Sequence, residues 1–119
     1  MNQKNNITKM EKKILGNSEM EVTCLGLGTM TFGEQNTEKD AFAQMDCAIS
    51  YGVNLIDTAE LYPIPPRKGT YTRTEKFIGK WIKQRKARDR IILATKVVGP
   101  TSDSRAISGY IRDGINRLN

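Results

Sequence analysis

Gly52-Val53-Asn54-Leu55-Ile56-Asp57-Thr58-Ala59-Glu60-Leu61-Tyr62 runs from a glycine through a short apolar stretch to a carboxylate, and then to a phenol. Val53 to Asp57 is too short for a helix and reads as a buried strand. A second run, Arg90-Ile91-Ile92-Leu93-Ala94-Thr95-Lys96-Val97, behaves the same way and reaches an amine at its end. A parallel α/β architecture collects its chemistry at the carboxyl ends of its strands. The two runs therefore bring Asp57, Tyr62 and Lys96 to one edge. There the phenol can donate a proton, with the ammonium making it the stronger acid. A His would be the usual fourth partner, and the chain has none.

Outward from this stretch, the pattern repeats. Ile14-Leu15 and Val22-Thr23-Cys24-Leu25 flank Gly16-Asn17-Ser18-Glu19, which predicts a hairpin. A buried strand follows over about residues 25–28. A helix opens at Thr37, with Asp40 placed for a capping box. Its apolar face is Ala41, Phe42, Met45, Ala48 and Ile49, and Gly52 supplies the stop. Pro63-Ile64-Pro65-Pro66-Arg67-Lys68-Gly69 excludes helix and central strand, so it is a loop. Thr72 and Glu75 predict a second capping box, and Phe77, Ile78, Trp81 and Ile82 the buried side of the helix it opens. A third strand spans about 90–97. Ser104 then caps a third helix with Ile107, Tyr110, Ile111 and Leu118 on one face.

The order is a hairpin followed by three βα units, which implies parallel pairing. Three such strands leave two open edges and one uncovered face. A (β/α)8 barrel takes ~250 residues, so the expected fold class is α/β, a truncated (β/α)8 TIM barrel. Residues 1–10 are polar and read as a flexible extension, with Met10 a rival start to Met1. Residues 11–119 form the barrel part.

Composition removes several function classes. The chain has 119 residues, 38% apolar and 27% charged, and no run approaches the ~18 apolar residues of a membrane span. Cys24 and Cys47 have no neighbouring His and no CxxC spacing, so no metal site is expected. Both read as free core thiols, which suits a reducing cytoplasm. The net charge of +6 is mostly local: Lys80, Lys83, Arg85, Lys86, Arg88 and Arg90, set against Asp89, contribute +5. Those cations close a helix, where they complement its dipole, and no aromatics alternate with them to stack bases. No nucleic-acid partner is expected.

Gly26-Leu27-Gly28-Thr29-Met30-Thr31-Phe32-Gly33 lacks the third glycine of a dinucleotide fingerprint, since position 31 is Thr. It also lacks the lysine of a phosphate loop, since Glu34 follows Gly33. It reads as a tight strand-to-helix turn whose backbone can still reach a ligand. For Asp57 and Lys96 the rival to chemistry is a structural ion pair, because a buried carboxylate needs a cation. For Tyr62 it is a ring packed as a loop anchor.

Taken in order, Ile14-Leu15-Gly16-Asn17-Ser18, Leu25-Gly26-Leu27-Gly28-Thr29-Met30, the stretch from Gly52 to Tyr62, Thr74-Glu75 to Ile78-Gly79, and Ala94-Thr95-Lys96-Val97 resemble the aldo-keto reductase family. Pro63-Ile64-Pro65-Pro66 and Gly99-Pro100 resemble its bacterial Tas-like subgroup. The resemblance implies an NADPH-dependent reduction of aldehydes or ketones in the cytoplasm. Tyr62 would be the proton donor, Lys96 and Asp57 would tune it, and Gly28, Thr29, Met30 and Asp57 would lie on the nicotinamide side. The family's His would follow Asn119, where the chain stops. The isolated chain is therefore expected to be an N-terminal fragment, inactive and weak or silent in binding NADPH. The alternative is a non-catalytic interaction module that self-associates through its open edges.

Overall fold

The computed structural model describes residues 10–97. β1 (Lys12–Ile14) and β2 (Glu21–Thr23) form the expected hairpin, antiparallel with Lys13 opposite Val22. Gly16 turns it at φ +55, a conformation glycine adopts without strain. β3 (Gly26–Gly28), β4 (Leu55–Asp57) and β5 (Ile92–Ala94) then make one parallel sheet in the order β3-β4-β5. The third predicted helix and the extension over residues 1–9 lie outside the described residues.

α1 (Glu38–Ser50) begins as the sequence predicts. The Thr37 hydroxyl accepts from the Asp40 amide, and the Asp40 carboxylate accepts from the Thr37 amide at 2.9 Å. It ends at Gly52, whose φ of +84 turns the chain out of the helix. α2 (Arg73–Arg85) begins differently. Thr72 sits at φ 68 and makes no capping bond, so the Thr72–Glu75 box does not form. A cap needs extended backbone to aim its hydroxyl at the next amides, and left-handed backbone does not.

The core lies between the sheet and the two helices. Met45 and Ala41 from α1, Ile78, Trp81 and Ile82 from α2, Ile56 from β4, and Phe32 from the β3–α1 loop are all buried. One rung of the sheet, Leu27, Ile56 and Leu93, carries this packing. The next rung, Gly28, Asp57 and Ala94, belongs to the opposite face by the period-two alternation of strands. The helices also share polar bonds: Trp81 donates its indole N–H to Asp46 at 2.8 Å, and Arg85 clasps the same carboxylate.

Three further expectations are corrected. β3 is not buried: Gly26 and Gly28 are exposed and only Leu27 is partly covered, because the helices shield a single face. The third strand begins at Ile92 instead of Arg90, because Arg88–Arg90 form a 3-10 turn. In that turn the Arg90 guanidinium donates to the Arg85 carbonyl at 3.2 Å. Cys24 and Cys47 are free thiols as expected, but both are exposed and neither joins the core. No helix among the described residues is long and apolar enough to cross a membrane. The basic end of α2 is solvent-facing, as predicted, with Lys80 also paired to Glu38.

Candidate active site

The carboxyl ends of β4 and β5 bring the three predicted residues together. Lys96 donates to both oxygens of Asp57, at 2.9 and 2.8 Å. Its ammonium stands 5.1 Å from the centroid of the Tyr62 ring. Burial alone would push the Lys96 pKa down. The hydrogen bond and charge of Asp57, and then the charge and hydroxyl of Tyr62, outweigh that and hold it above its ordinary 10.5. The lysine side chain is 52% exposed, so solvent screens the pair. A clasped cation beside a phenol is chemically a proton-donor arrangement.

Main-chain bonds carry the pairing past the strands. The Thr58 amide donates to the Ala94 carbonyl at 2.8 Å and the Glu60 amide to the Lys96 carbonyl at 2.9 Å. Ala59, Glu60 and Pro63 are buried, so the loop from Asp57 to Tyr62 is seated rather than loose. Glu60 accepts the Tyr71 hydroxyl at 2.7 Å, which gives it a structural task the sequence does not show.

The β3 loop adjoins this edge. Gly28 is exposed, and a Cβ there would meet nothing within 4 Å. Met30 is 47% exposed, while its carbonyl accepts from the Ile64 amide at 3.0 Å. Thr29 differs from both. It is fully buried, and its hydroxyl donates to the Asp57 carbonyl at 2.8 Å, fixing β3 to β4 next to the carboxylate. Two cavities, of about 480 and 430 Å³, lie elsewhere, at the amino ends of the strands and between α1 and α2. At the other end of the sheet the Lys96 and Asp57 side chains are each about half exposed.

Sequence reasoning missed the first turn of α2. Thr74 Oγ1 donates to the Phe32 carbonyl at 2.6 Å, and Arg73 donates to the Gly33 carbonyl at 3.0 Å and the Gly69 carbonyl at 2.9 Å. The Glu75 carboxyl accepts from Thr95 Oγ1 at 2.8 Å. The bonds from Thr74 to Phe32 and from Thr95 to Glu75 join residues 42 and 20 apart in sequence, so no local pattern announces them. Among the described residues no cluster of His, Cys, Asp and Glu could hold a metal ion.

Comparison with known proteins identifies the family to which this fold belongs. The model of the Aldo/keto reductase family matches residues 24–118. Protein tas of Escherichia coli K12 is 50% identical over 95 residues, covering 80% of this chain and 28% of that protein. The uncharacterized oxidoreductase YrpG of Bacillus subtilis is 43% identical over 79% of this chain and 28% of its own length. The chain thus spans little more than a quarter of these relatives. Among solved structures, the aldo-keto reductase AKR11C1 from Bacillus halodurans, in its holo form, superposes with a TM-score of 0.68 at 35% identity. That likeness covers 92% of this chain and 36% of the reductase, so the parallel strands and helices described above are part of such a barrel.

Proposed function

The chain belongs to the aldo/keto reductase family of oxidoreductases, and from that premise we propose that the whole protein reduces aldehydes or ketones at the expense of NADPH in the cytoplasm. The observation that carries this reading is Lys96, held by both oxygens of Asp57 while its ammonium lies 5.1 Å from the Tyr62 ring. Asp57 keeps the cation in place, and the cation stabilises negative charge on the phenol oxygen. Tyr62 is thereby the proton donor to the alkoxide that forms as a carbonyl is reduced. The reading turns the Asp57–Lys96 pair from a structural bond into a tuning device for Tyr62.

The residues present fit a nicotinamide. Open space stands where a side chain at Gly28 would lie, and Met30 offers a half-exposed apolar surface beside it. Gly28, Met30 and Asp57 would line that side. Thr29 serves through its bond to the Asp57 carbonyl rather than through a free hydroxyl. When bound, the cofactor supplies hydride, and the chain's own residues supply the proton and the orientation. The 119 residues contain no His, and general acid help is worth ~10²–10⁴-fold only where the reactants are held together. By themselves they are expected not to turn over.

The test is the loss of NADPH absorbance with a panel of aldehydes and ketones. It is run on the 119-residue chain and on the complete product of its locus, whose intact mass is measured first. The complete product should consume NADPH, and Tyr62→Phe should slow it by about 10²–10⁴-fold. Turnover that survives Tyr62→Phe would remove the phenol from its role, and no turnover with any carbonyl compound would remove the function.

A second reading has its own observation. Among the described residues β3 and β5 each pair along one edge only, and Leu25 and Met30 are 62% and 47% exposed. Open edges of this kind suit a non-catalytic module that self-associates. A monodisperse dimer by light scattering, with no NADPH consumption, would favour it.

A further inference from the structure

Glu75 is 1% exposed and lies in the first turn of α2, where Thr72 makes no side-chain cap. A buried acid is costly unless its partners repay it, and an apolar side chain would fill the same space more cheaply. Its carboxyl accepts from Thr95 Oγ1 at 2.8 Å, and Thr95 immediately precedes Lys96. Side chains alternate along an extended segment. Thr95 accordingly reaches the helix layer, and Lys96 reaches Asp57 on the other side of the sheet.

The main chain at this point is already fixed in register. The Ala94 and Lys96 carbonyls accept from the Thr58 and Glu60 amides. Those two bonds hold the segment along one edge, beside the residues just beyond β4, and limit without abolishing its roll about its own axis. The Thr95–Glu75 bond resists that roll. Glu75 is itself on a firm base, since its neighbours Arg73 and Thr74 bind the carbonyls of Gly33 and Phe32. We propose that Glu75, acting through Thr95, is a positioning residue that fixes the Lys96 ammonium between Asp57 and Tyr62. The proposal rests on the functional reading above and adds to it a support drawn from the helix layer. Residues that hold a reacting group from behind matter because a misplacement of ~1 Å can cost ~10²-fold in rate.

The test needs no turnover. Proton exchange of the Lys96 ammonium is followed by ¹H–¹⁵N NMR in the 119-residue chain, with Lys96→Met used to assign the signal. Thr95 is exposed, so Thr95→Val keeps the shape without opening the core. The expected result is that Thr95→Val speeds Lys96 exchange by about tenfold, the scale of one lost hydrogen bond. Thr95→Ser and Glu75→Gln, which keep a donor and an acceptor, should stay near wild type. Asp57→Asn should speed exchange in any case. If Asp57→Asn does so and Thr95→Val does not, the positioning role is wrong and the functional reading stands. If Asp57→Asn has no effect, the ion pair is absent in solution and both readings fall.

Discussion

Asn54 and Thr23 bind each other reciprocally: the Asn54 Oδ1 accepts from the Thr23 amide at 2.9 Å, and the Thr23 hydroxyl, which donates to the Leu25 carbonyl at 2.7 Å, accepts from the Asn54 amide at 3.1 Å. Asn54 Nδ2 also donates to the Glu21 carbonyl at 2.8 Å. One side chain at the entrance to β4 thus ties the hairpin to the parallel sheet.

A two-stranded hairpin is marginal in water by itself. Asn54→Ala should therefore loosen the hairpin while leaving the sheet intact, at a cost of roughly 1–3 kcal/mol for the bonds lost. Hydrogen exchange separates the two parts. The amides of Leu15 and Cys24, bonded within the hairpin, should exchange faster. The Thr58 amide, bonded to Ala94 across the sheet, should not change.

Acid should weaken the α1–α2 contact in a defined direction. Hydrogen bonding from Arg85, joined by Trp81, holds the Asp46 carboxyl below its ordinary 3.8, and the Thr37 bonds do the same for Asp40. Lowered carboxyl pKa values mean that the unfolded chain binds more protons. The stability they contribute is thus complete above about pH 3.8 and disappears as pH falls through the lowered values. Lys96 has the opposite sign: its contribution is complete below 10.5 and disappears as pH rises through its raised value. Urea titrations across pH should show Asp46→Asn losing part of the acid limb and Asp57→Asn part of the alkaline limb. Both effects should shrink at high salt.

Gly28, at the end of β3, and Gly33, in the loop that follows, should respond differently to alanine. Gly33 has φ +101, and a Cβ there would stand 2.7 Å from Arg73 Cδ, on the side chain that binds the Gly33 carbonyl. Gly33→Ala should cost about 1–3 kcal/mol in denaturant unfolding, from strained backbone and a displaced arginine. Gly28→Ala meets open space and should leave stability near wild type. In the complete product it should weaken NADPH instead.

Both thiols should react in the native protein. Cys24 and Cys47 are exposed and unpaired, so a chromogenic disulfide reagent should titrate two thiols per chain before denaturant is added. Titration only after unfolding would contradict these placements.

How much was legible depended on whether the partners of a residue lie nearby in sequence. Thr37 and Asp40 are three residues apart, and their box forms as predicted; Gly52 stops α1 for equally local reasons. Asp57, Tyr62 and Lys96 were found because each lies at or just beyond the end of an apolar run, and parallel pairing brings such ends together. Thr72 and Glu75 have the same spacing as a box, yet Glu75 is engaged by Thr95, twenty residues on. The misjudged Cys47 was readable. The periodicity that places Met45 and Ile49 on one face of α1 places Cys47 on the other, and the apolar content of the segment obscured it. Arg73 and Thr74 bind carbonyls around forty residues earlier, beyond any pattern of spacing.

The rungs of the sheet have one more consequence. Leu27, Ile56 and Leu93 face the helices, while Gly28, Asp57 and Ala94, one step along, belong to the other face. A single residue inserted or deleted between Gly52 and Ile56 would thus not merely weaken this strand but turn it over, sending the carboxylate inward and the isoleucine outward. Strand length here is a chemical variable. Insertions that a loop such as residues 63–69 can absorb would, in β4, erase the core and the site in one event.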